Sequence, residues 1–94
     1  MARPVVRVHR MQIGFDAPTF IELKHPLTAT QANILHILGE FPNRFVTRND
    51  LRARLRLSEM SIMIHVSRTR KCLTADWTIE SHDKGYRLID LRDK

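Results

Sequence analysis

The chain has 94 residues, 43% of them hydrophobic and 28% charged, which fits one globular domain and excludes a fibre or a disordered tail. No apolar run approaches the ~20 residues that cross a bilayer, no secretory signal follows Met1, and the single Cys72 excludes an internal disulfide or a thiolate zinc cluster. The net charge of +6 favours a polyanionic partner, and we expect a cytoplasmic protein that has no membrane partner.

The chain begins with a strand-like pattern. Val6 and Val8, and later Ile13, alternate with polar neighbours, as in half-buried strands. The spacing predicts a short N-terminal antiparallel sheet of three strands over 5–24. Because no linker or repeat follows, residues 1–94 are expected to form a single α+β domain.

The period changes to that of a helix near Leu27. Apolar residues then recur every three or four positions, which predicts a first helix over 28–41. Either Thr28 or Thr30 can serve as its N-cap, and Pro42 cannot continue it. Gly39, near the end of this helix, weakens its last turn.

Two further helices are predicted, one over 47–56 opened by Thr47 and one over 58–74 opened by Ser58. The apolar positions of the third helix step by four, three and four, and form one predicted buried stripe of Ile62, Val66, Thr69 and Leu73. The opposite face is interpreted as the line of Ser61, His65, Arg68 and Cys72.

Alternation returns after Asp76 and predicts a β-hairpin over 77–90. Its turn contains Gly85, at a position that requires a positive φ angle. The predicted order is therefore a short sheet, three helices and a C-terminal hairpin.

The positive charge is concentrated in the middle of the chain. Residues 44–71 carry eight basic and two acidic side chains, a net of +6, whereas residues 1–43 and 72–94 carry +1 and −1. The excess falls on the second and third predicted helices. It indicates either a solvated helical surface or a surface that binds a polyanion.

Motifs in chain order carry a resemblance to a known family. They are a Leu-Thr pair at 27–28, a Pro-then-basic turn leading into a helix at 42–51, Ile-Met-Ile-His-Val-Ser-Arg-Thr-Arg-Lys-Cys-Leu at 62–73, and Gly-Tyr-Arg at 85–87. Over nearly its whole length the chain resembles the winged helix-turn-helix DNA-binding domain of OmpR/PhoB-type bacterial response regulators. It carries no receiver domain and Met1 resembles a natural start, so phosphorylation control within the chain is not expected.

The resemblance implies binding of double-stranded DNA, with the third helix in the major groove and the hairpin as a wing near the minor groove. Arg68 is the candidate base contact, because its planar fork can pair with guanine O6 and N7. The other candidates would bind phosphates or the second groove. The full set of candidate DNA-binding residues is Ser61, His65, Arg68, Arg70, Lys71, Lys84 and Arg87.

Each candidate also has a plainer interpretation. Arg68 can be a solvated helix charge, and His65 can be a structural histidine that hydrogen-bonds within the fold. Arg70 and Lys71 gain from the dipole at a helix C-terminus without any DNA.

Two methionines of the third helix stand where the family has polar residues. Met60 and Met63 can touch thymine methyl groups, form a protein-binding surface, or pack under the short connection at 56–58. In the wing, the acidic residues Glu80 and Asp83 oppose DNA binding, so the third helix is expected to make the main DNA contact.

The sequence thus predicts a bacterial, nucleoid-associated transcriptional regulator that binds specific DNA, as a possible homodimer on repeated half-sites, without cofactor, metal or enzymatic activity. The alternative is a winged-helix module that docks on a protein partner such as RNA polymerase or a nuclease complex. A nucleic-acid enzyme would need a metal or catalytic cluster, and the five histidines lack ligand spacing.

Overall fold

The structure, a computed structural model, describes residues 9–14 and 19–92. In this part of the chain the protein is α+β, with three helices and two small antiparallel sheets, which confirms the predicted class at that level. The elements are β1 (Arg10–Ile13), β2 (Thr19–Glu22), α1 (Ala29–Gly39), α2 (Arg48–Leu55), α3 (Glu59–Cys72), β3 (Trp77–His82) and β4 (Gly85–Asp90).

The first sheet pairs β1 with β2. Met11 lies opposite Ile21, and both side chains are buried, as is that of Ile13 two residues along the same strand. This face of the sheet covers the core, while the intervening residues are exposed. The third predicted strand falls on Val6 and Val8, which lie outside the described residues.

Each helix begins at a hydroxyl side chain that accepts a hydrogen bond from the backbone N–H three residues on. Thr28 Oγ1 accepts from the N–H of Gln31 (3.2 Å), and Gln31 Oε1 accepts from the N–H of Thr28 (3.0 Å), which makes a reciprocal capping box. This pair selects Thr28 over Thr30 as the N-cap. Thr47 and Ser58 cap α2 and α3 in the same way, at 3.1 and 3.2 Å.

The second sheet is the hairpin of β3 and β4, joined by a two-residue turn. Gly85 follows that turn with a φ of +134°, in agreement with the prediction. The loop between α1 and α2 lies along β4: Val46 exchanges backbone hydrogen bonds with Tyr86 (2.7 and 3.0 Å), and the Asn43 N–H donates to the Leu88 carbonyl (2.7 Å). The loop therefore fixes the hairpin to the helices.

The core surrounds α1, which packs against α2, α3, β1 and β4. The predicted buried stripe of α3 is confirmed, and its members are 0–3% exposed: Ile62, Val66, Thr69 and Leu73. Thr69 is a polar member of this stripe, and its hydroxyl donates to the His65 carbonyl (2.7 Å). The stripe fixes which side of α3 faces outward.

Gly39, expected only to weaken the end of α1, is required by a close approach. A Cβ built on Gly39 would lie 2.7 Å from Ile13 Cβ and 2.8 Å from Ile13 Cγ2. Ile13 is itself 2% exposed and branched at Cβ, so it cannot rotate the clash away. The missing side chain lets β1 pack directly on the last turn of α1.

We expect Gly39→Ala to lower the free energy of unfolding by about 1–2 kcal/mol, because overpacking outweighs the better helix propensity of Ala. Urea denaturation measures the change. The matched control is Asn33→Ala on the exposed side of the same helix, which should be neutral or slightly stabilising. Equal stability of Gly39→Ala and the wild type would contradict the close packing.

Candidate nucleic-acid interface

The exposed side of α3 forms a continuous strip along the 14-residue helix. It lies opposite the buried stripe, and we call it the outward face: Glu59, Met60, Met63, Ile64, Ser67, Arg68 and Lys71. Met60, Ile64, Ser67 and Lys71 follow one another at four-, three- and four-residue steps, so they lie on one line along the helix. After Glu59, apolar side chains occupy the first two turns, and polar or basic side chains occupy the last two.

Of the line predicted from the sequence as the opposite face, only Arg68 belongs to the outward face, and the other three residues lie on the flank of α3. Ser61 and His65 are half-buried, and Arg68 is exposed. Cys72 is buried, so its predicted exposure is wrong: the backbone N–H of Lys24 donates to the Cys72 carbonyl (2.7 Å), and this connection covers the helix end. Burial raises the pKa of the Cys72 thiol and keeps it protonated at neutral pH.

Three apolar side chains of the outward face are open to solvent. Met60 is 72% exposed, Met63 54% and Ile64 46%. The interpretation that one methionine packs under the connection at 56–58 is therefore wrong. Within that connection, Leu57 is half-buried and packs against the core. Sequence reasoning did not single out Ile64 or Ser67.

The basic candidates of α3 divide by their surroundings. Arg68 and Lys71 are exposed on the outward face. Arg70 is half-buried, and its Nε donates to the carbonyl of Ile79 on β3 (2.8 Å). Arg70 therefore joins α3 to the hairpin, a role that its position in the sequence did not indicate.

The hairpin presents less positive charge than its sequence indicates. The Nε of Arg87 donates to Glu80 Oε1 in a half-buried ion pair, and its guanidinium lies 4.5 Å from the centre of the Phe45 ring. This ion pair neutralises the charge of Glu80, but it also leaves the charge of Arg87 compensated within the hairpin. Lys84 is exposed at the turn beside Asp83, so the tip of the hairpin has no net charge of its own.

Arg48, the first residue of α2, contacts the turn of the hairpin. Its Nη1 donates to the Asp83 carbonyl (3.2 Å), its Nη2 donates to Ser81 Oγ (3.5 Å), and its guanidinium lies 5.0 Å from the Tyr86 ring centre. The sequence places Arg48 in the basic segment, but only the fold brings it to the hairpin. It is a positioning residue for the turn that carries Lys84.

We expect Arg48→Ala to lower the free energy of unfolding by only about 0.5–1 kcal/mol, because the contacts are partly solvated. The larger effect should be local: amide hydrogen exchange at residues 81–85 should accelerate several-fold while exchange in α1 stays unchanged. Asn49→Ala, an exposed neighbour, is the control. Unchanged exchange in the turn would show that Arg48 does not hold it.

A concave surface outside α3 offers little chemistry. A cleft of about 340 Å³ lies between the end of α1, the following loop and α2. Its charged side chains face one another, with Arg54 Nη1 3.2 Å from Glu40 Oε1 and 4.0 Å from Asp50 Oδ2. Within residues 9–14 and 19–92, no three His, Cys, Asp or Glu side chains are grouped to hold a metal ion, and no helix is long and apolar enough to span a membrane.

No family model, curated protein or solved structure matches the chain. On the surface of the protein, the outward face of α3 combines three exposed apolar side chains with two exposed basic ones.

Proposed function

We propose that the chain is a winged helix-turn-helix protein that binds specific double-stranded DNA and regulates transcription, with α3 as the recognition helix and the β3–β4 hairpin as the wing. The observation that carries the proposal is the outward face of α3. Arg68 and Lys71 are exposed there, in the segment 44–71 that holds the net charge of +6. Three capped helices followed by a hairpin agree with such a fold.

The dimensions of α3 suit the major groove. A helix of 14 residues is about 21 Å long, and the groove of B-DNA, about 12 Å wide, admits one helix. In this mechanism the core stripe holds one side of α3 and the groove receives the other. Arg68 reads a guanine through its planar fork, and Lys71 contacts a phosphate.

The half-buried candidates have supporting roles in this proposal. Ser61 and His65 lie on the flank that would face the phosphates along the groove wall. Arg70 keeps α3 and the hairpin in register through the Ile79 carbonyl, and its remaining N–H groups would contact the DNA backbone. In this proposal α3 makes most of the DNA contacts, because on the wing the charge of Arg87 is paired with Glu80.

The protein acts, in this proposal, without a cofactor or catalytic step, in the bacterial cytoplasm and as a dimer on repeated half-sites. Selection from a random duplex pool, followed by mobility shifts over a salt series, tests the proposal. We expect selected duplexes to bind far more tightly than the unselected pool, with a log–log salt slope of about −3 to −4.5 for three to five phosphate contacts. A repeated element in the selected sequences would reveal the dimer.

The same assay with Arg68→Ala/Arg70→Ala should lose the preference for the selected duplex. Arg70 also holds the hairpin, so its substitution can lower stability. The melting temperature of the double variant is therefore compared with that of the single variant Arg70→Ala. Binding that ignores sequence, or that survives the double substitution, would overturn the proposal.

A module that docks on a transcription or nuclease protein is the second candidate. It is favoured by the three exposed apolar side chains of α3 and by the exposed acid Asp83 at the hairpin turn. A mobility-shift assay at low salt distinguishes the two candidate functions, because a DNA-binding protein should then retard any duplex. No shift at low salt, together with co-purification of a protein partner, would establish the docking module instead.

A further inference from the structure

After Glu59, the first two turns of the outward face of α3 carry apolar side chains, although they lie in the most basic part of the chain. Met60, Met63 and Ile64 are 46–72% exposed. Three apolar side chains at i, i+3 and i+4 form one patch. If α3 is the recognition helix, an occupant of this patch has to offer apolar groups within a polyanion.

We propose that this patch, defined as Met60, Met63 and Ile64, contacts the 5-methyl groups of thymine in the major groove and makes the protein specific for thymine-containing sites. The inference rests on the proposed DNA binding by α3. It assigns a base class to the apolar half of the helix, in addition to the guanine contact of Arg68.

The chemistry of the groove supports this occupant. Thymine is the base of unmodified DNA that presents an apolar group in the major groove, whereas the other base edges present donors and acceptors. An apolar side chain against those polar edges would leave them without hydrogen-bond partners, which lowers affinity. Methionine is flexible and polarisable, so Met60 and Met63 can adapt to methyl groups at slightly different positions.

The spacing of the patch along α3 also agrees with the spacing of base pairs in DNA. Met60 and Ile64 are four residues apart, about 6 Å along the helix, which corresponds to about two base-pair steps of 3.4 Å. Ser67, Arg68 and Lys71 continue the same strip toward the C-terminus of α3. One face of the helix would therefore read methyl groups first and hydrogen-bonding edges or phosphates next.

The surrounding charge favours DNA over a protein surface. Arg56 lies in the connection directly ahead of α3, and Arg68 and Lys71 follow the patch, whereas Glu59 is the one acidic residue within α3. A standard protein interface uses roughly 20–30 residues on each side. Three side chains, with Glu59 before them and Arg68 and Lys71 after them on the same face, match a short stretch of DNA better.

The test compares two versions of one duplex. The tightest binder from a thymine-containing random pool is resynthesised with uracil in place of every thymine, which deletes the methyl groups and keeps the pairing. We expect the wild type to bind the thymine duplex about four- to fifteen-fold more tightly than the uracil duplex, for one or two buried methyl groups.

The variant Met60→Ala/Met63→Ala/Ile64→Ala should bind both duplexes equally, near the affinity of the wild type for the uracil duplex. Since the three positions are exposed and Ala is the strongest helix former, the variant should fold. Leu91→Ala removes an exposed apolar side chain outside α3 and should retain the thymine preference.

The outcomes separate the two proposals. Equal binding of both duplexes by the wild type overturns this inference and leaves the DNA-binding function intact. Failure to bind any duplex overturns both. If sedimentation shows a wild-type dimer that the triple variant loses, and thymine preference is absent, the patch is an interface between copies of the chain and the inference is wrong.

Discussion

Replacing Gly85 with Ala should lower the free energy of unfolding by at least about 3 kcal/mol and the melting temperature by roughly 12 °C or more. Gly85 has a φ of +134°, which an L-residue with a Cβ rarely adopts. An added Cβ would also overlap the carbonyl oxygen of Val46, with Val46 C at 2.8 Å and Thr47 Cα at 2.9 Å. These are backbone atoms, so no side-chain rotation relieves the clash.

The consequence extends beyond the turn, because Val46 exchanges backbone hydrogen bonds with Tyr86 at the same place. Moving β4 away from Val46 would break these bonds and separate the hairpin from the loop that leads into α2. Thermal denaturation followed by circular dichroism measures the loss. Lys84→Ala in the same turn is exposed and should change stability by less than about 0.5 kcal/mol. A Gly85→Ala protein that melts within a few degrees of the wild type would refute the close approach.

Replacing Arg68 with Ala should have the largest effect on DNA binding of any single substitution. If its guanidinium pairs with guanine O6 and N7, the loss is about 1–3 kcal/mol, roughly 5- to 150-fold in Kd, and discrimination at that base pair should relax. Because Arg68 is exposed, the melting temperature should stay unchanged. Fluorescence anisotropy with the selected duplex measures both affinity and base preference.

The matched control is Arg54→Ala, which removes the same charge from the same basic segment. Arg54 is already paired with Glu40 and Asp50, so its loss should change affinity only about twofold or less. Lys71→Ala should weaken all duplexes alike and reduce the salt slope by about one. If Arg68→Ala and Arg54→Ala lost the same amount of DNA affinity, Arg68 would contribute only a general electrostatic attraction to DNA.

Local signals explain why the helices could be predicted from the sequence. The hydroxyl residues Thr28, Thr47 and Ser58 cap the three helices, and the four- and three-residue steps of α3 identify its buried stripe. The need for a positive φ at Gly85 is also local, because it follows from the tight hairpin turn.

The contacts between elements could not be predicted in this way. The need for Gly39 arises from Ile13 in a distant strand, and the role of Arg48 arises from a turn 35 residues away. No local pattern encodes either approach, because both depend on how the elements pack. The hydrogen bond from the Lys24 N–H to the Cys72 carbonyl likewise joins the end of α3 to a residue far away in the sequence.

The outward face of α3 is an intermediate case. Once the stripe through Ile62 and Val66 is known to be buried, the same period places Met60, Ile64 and Ser67 on the opposite side. The signal was therefore present in the sequence. The line of Met60, Ile64, Ser67 and Lys71 lies one residue away in the sequence from the predicted line through Ser61 and His65.

The central claim is that the outward face of α3 binds double-stranded DNA. Chemical-shift mapping of the isotope-labelled chain with the selected duplex tests it most directly. We predict that the largest amide and methyl shifts occur at residues 60–71, with a smaller set at the turn around Lys84 and none in β1 or β2. Largest shifts in the cleft beside Arg54 or in the β1–β2 sheet, or no shifts at low salt, would contradict the claim.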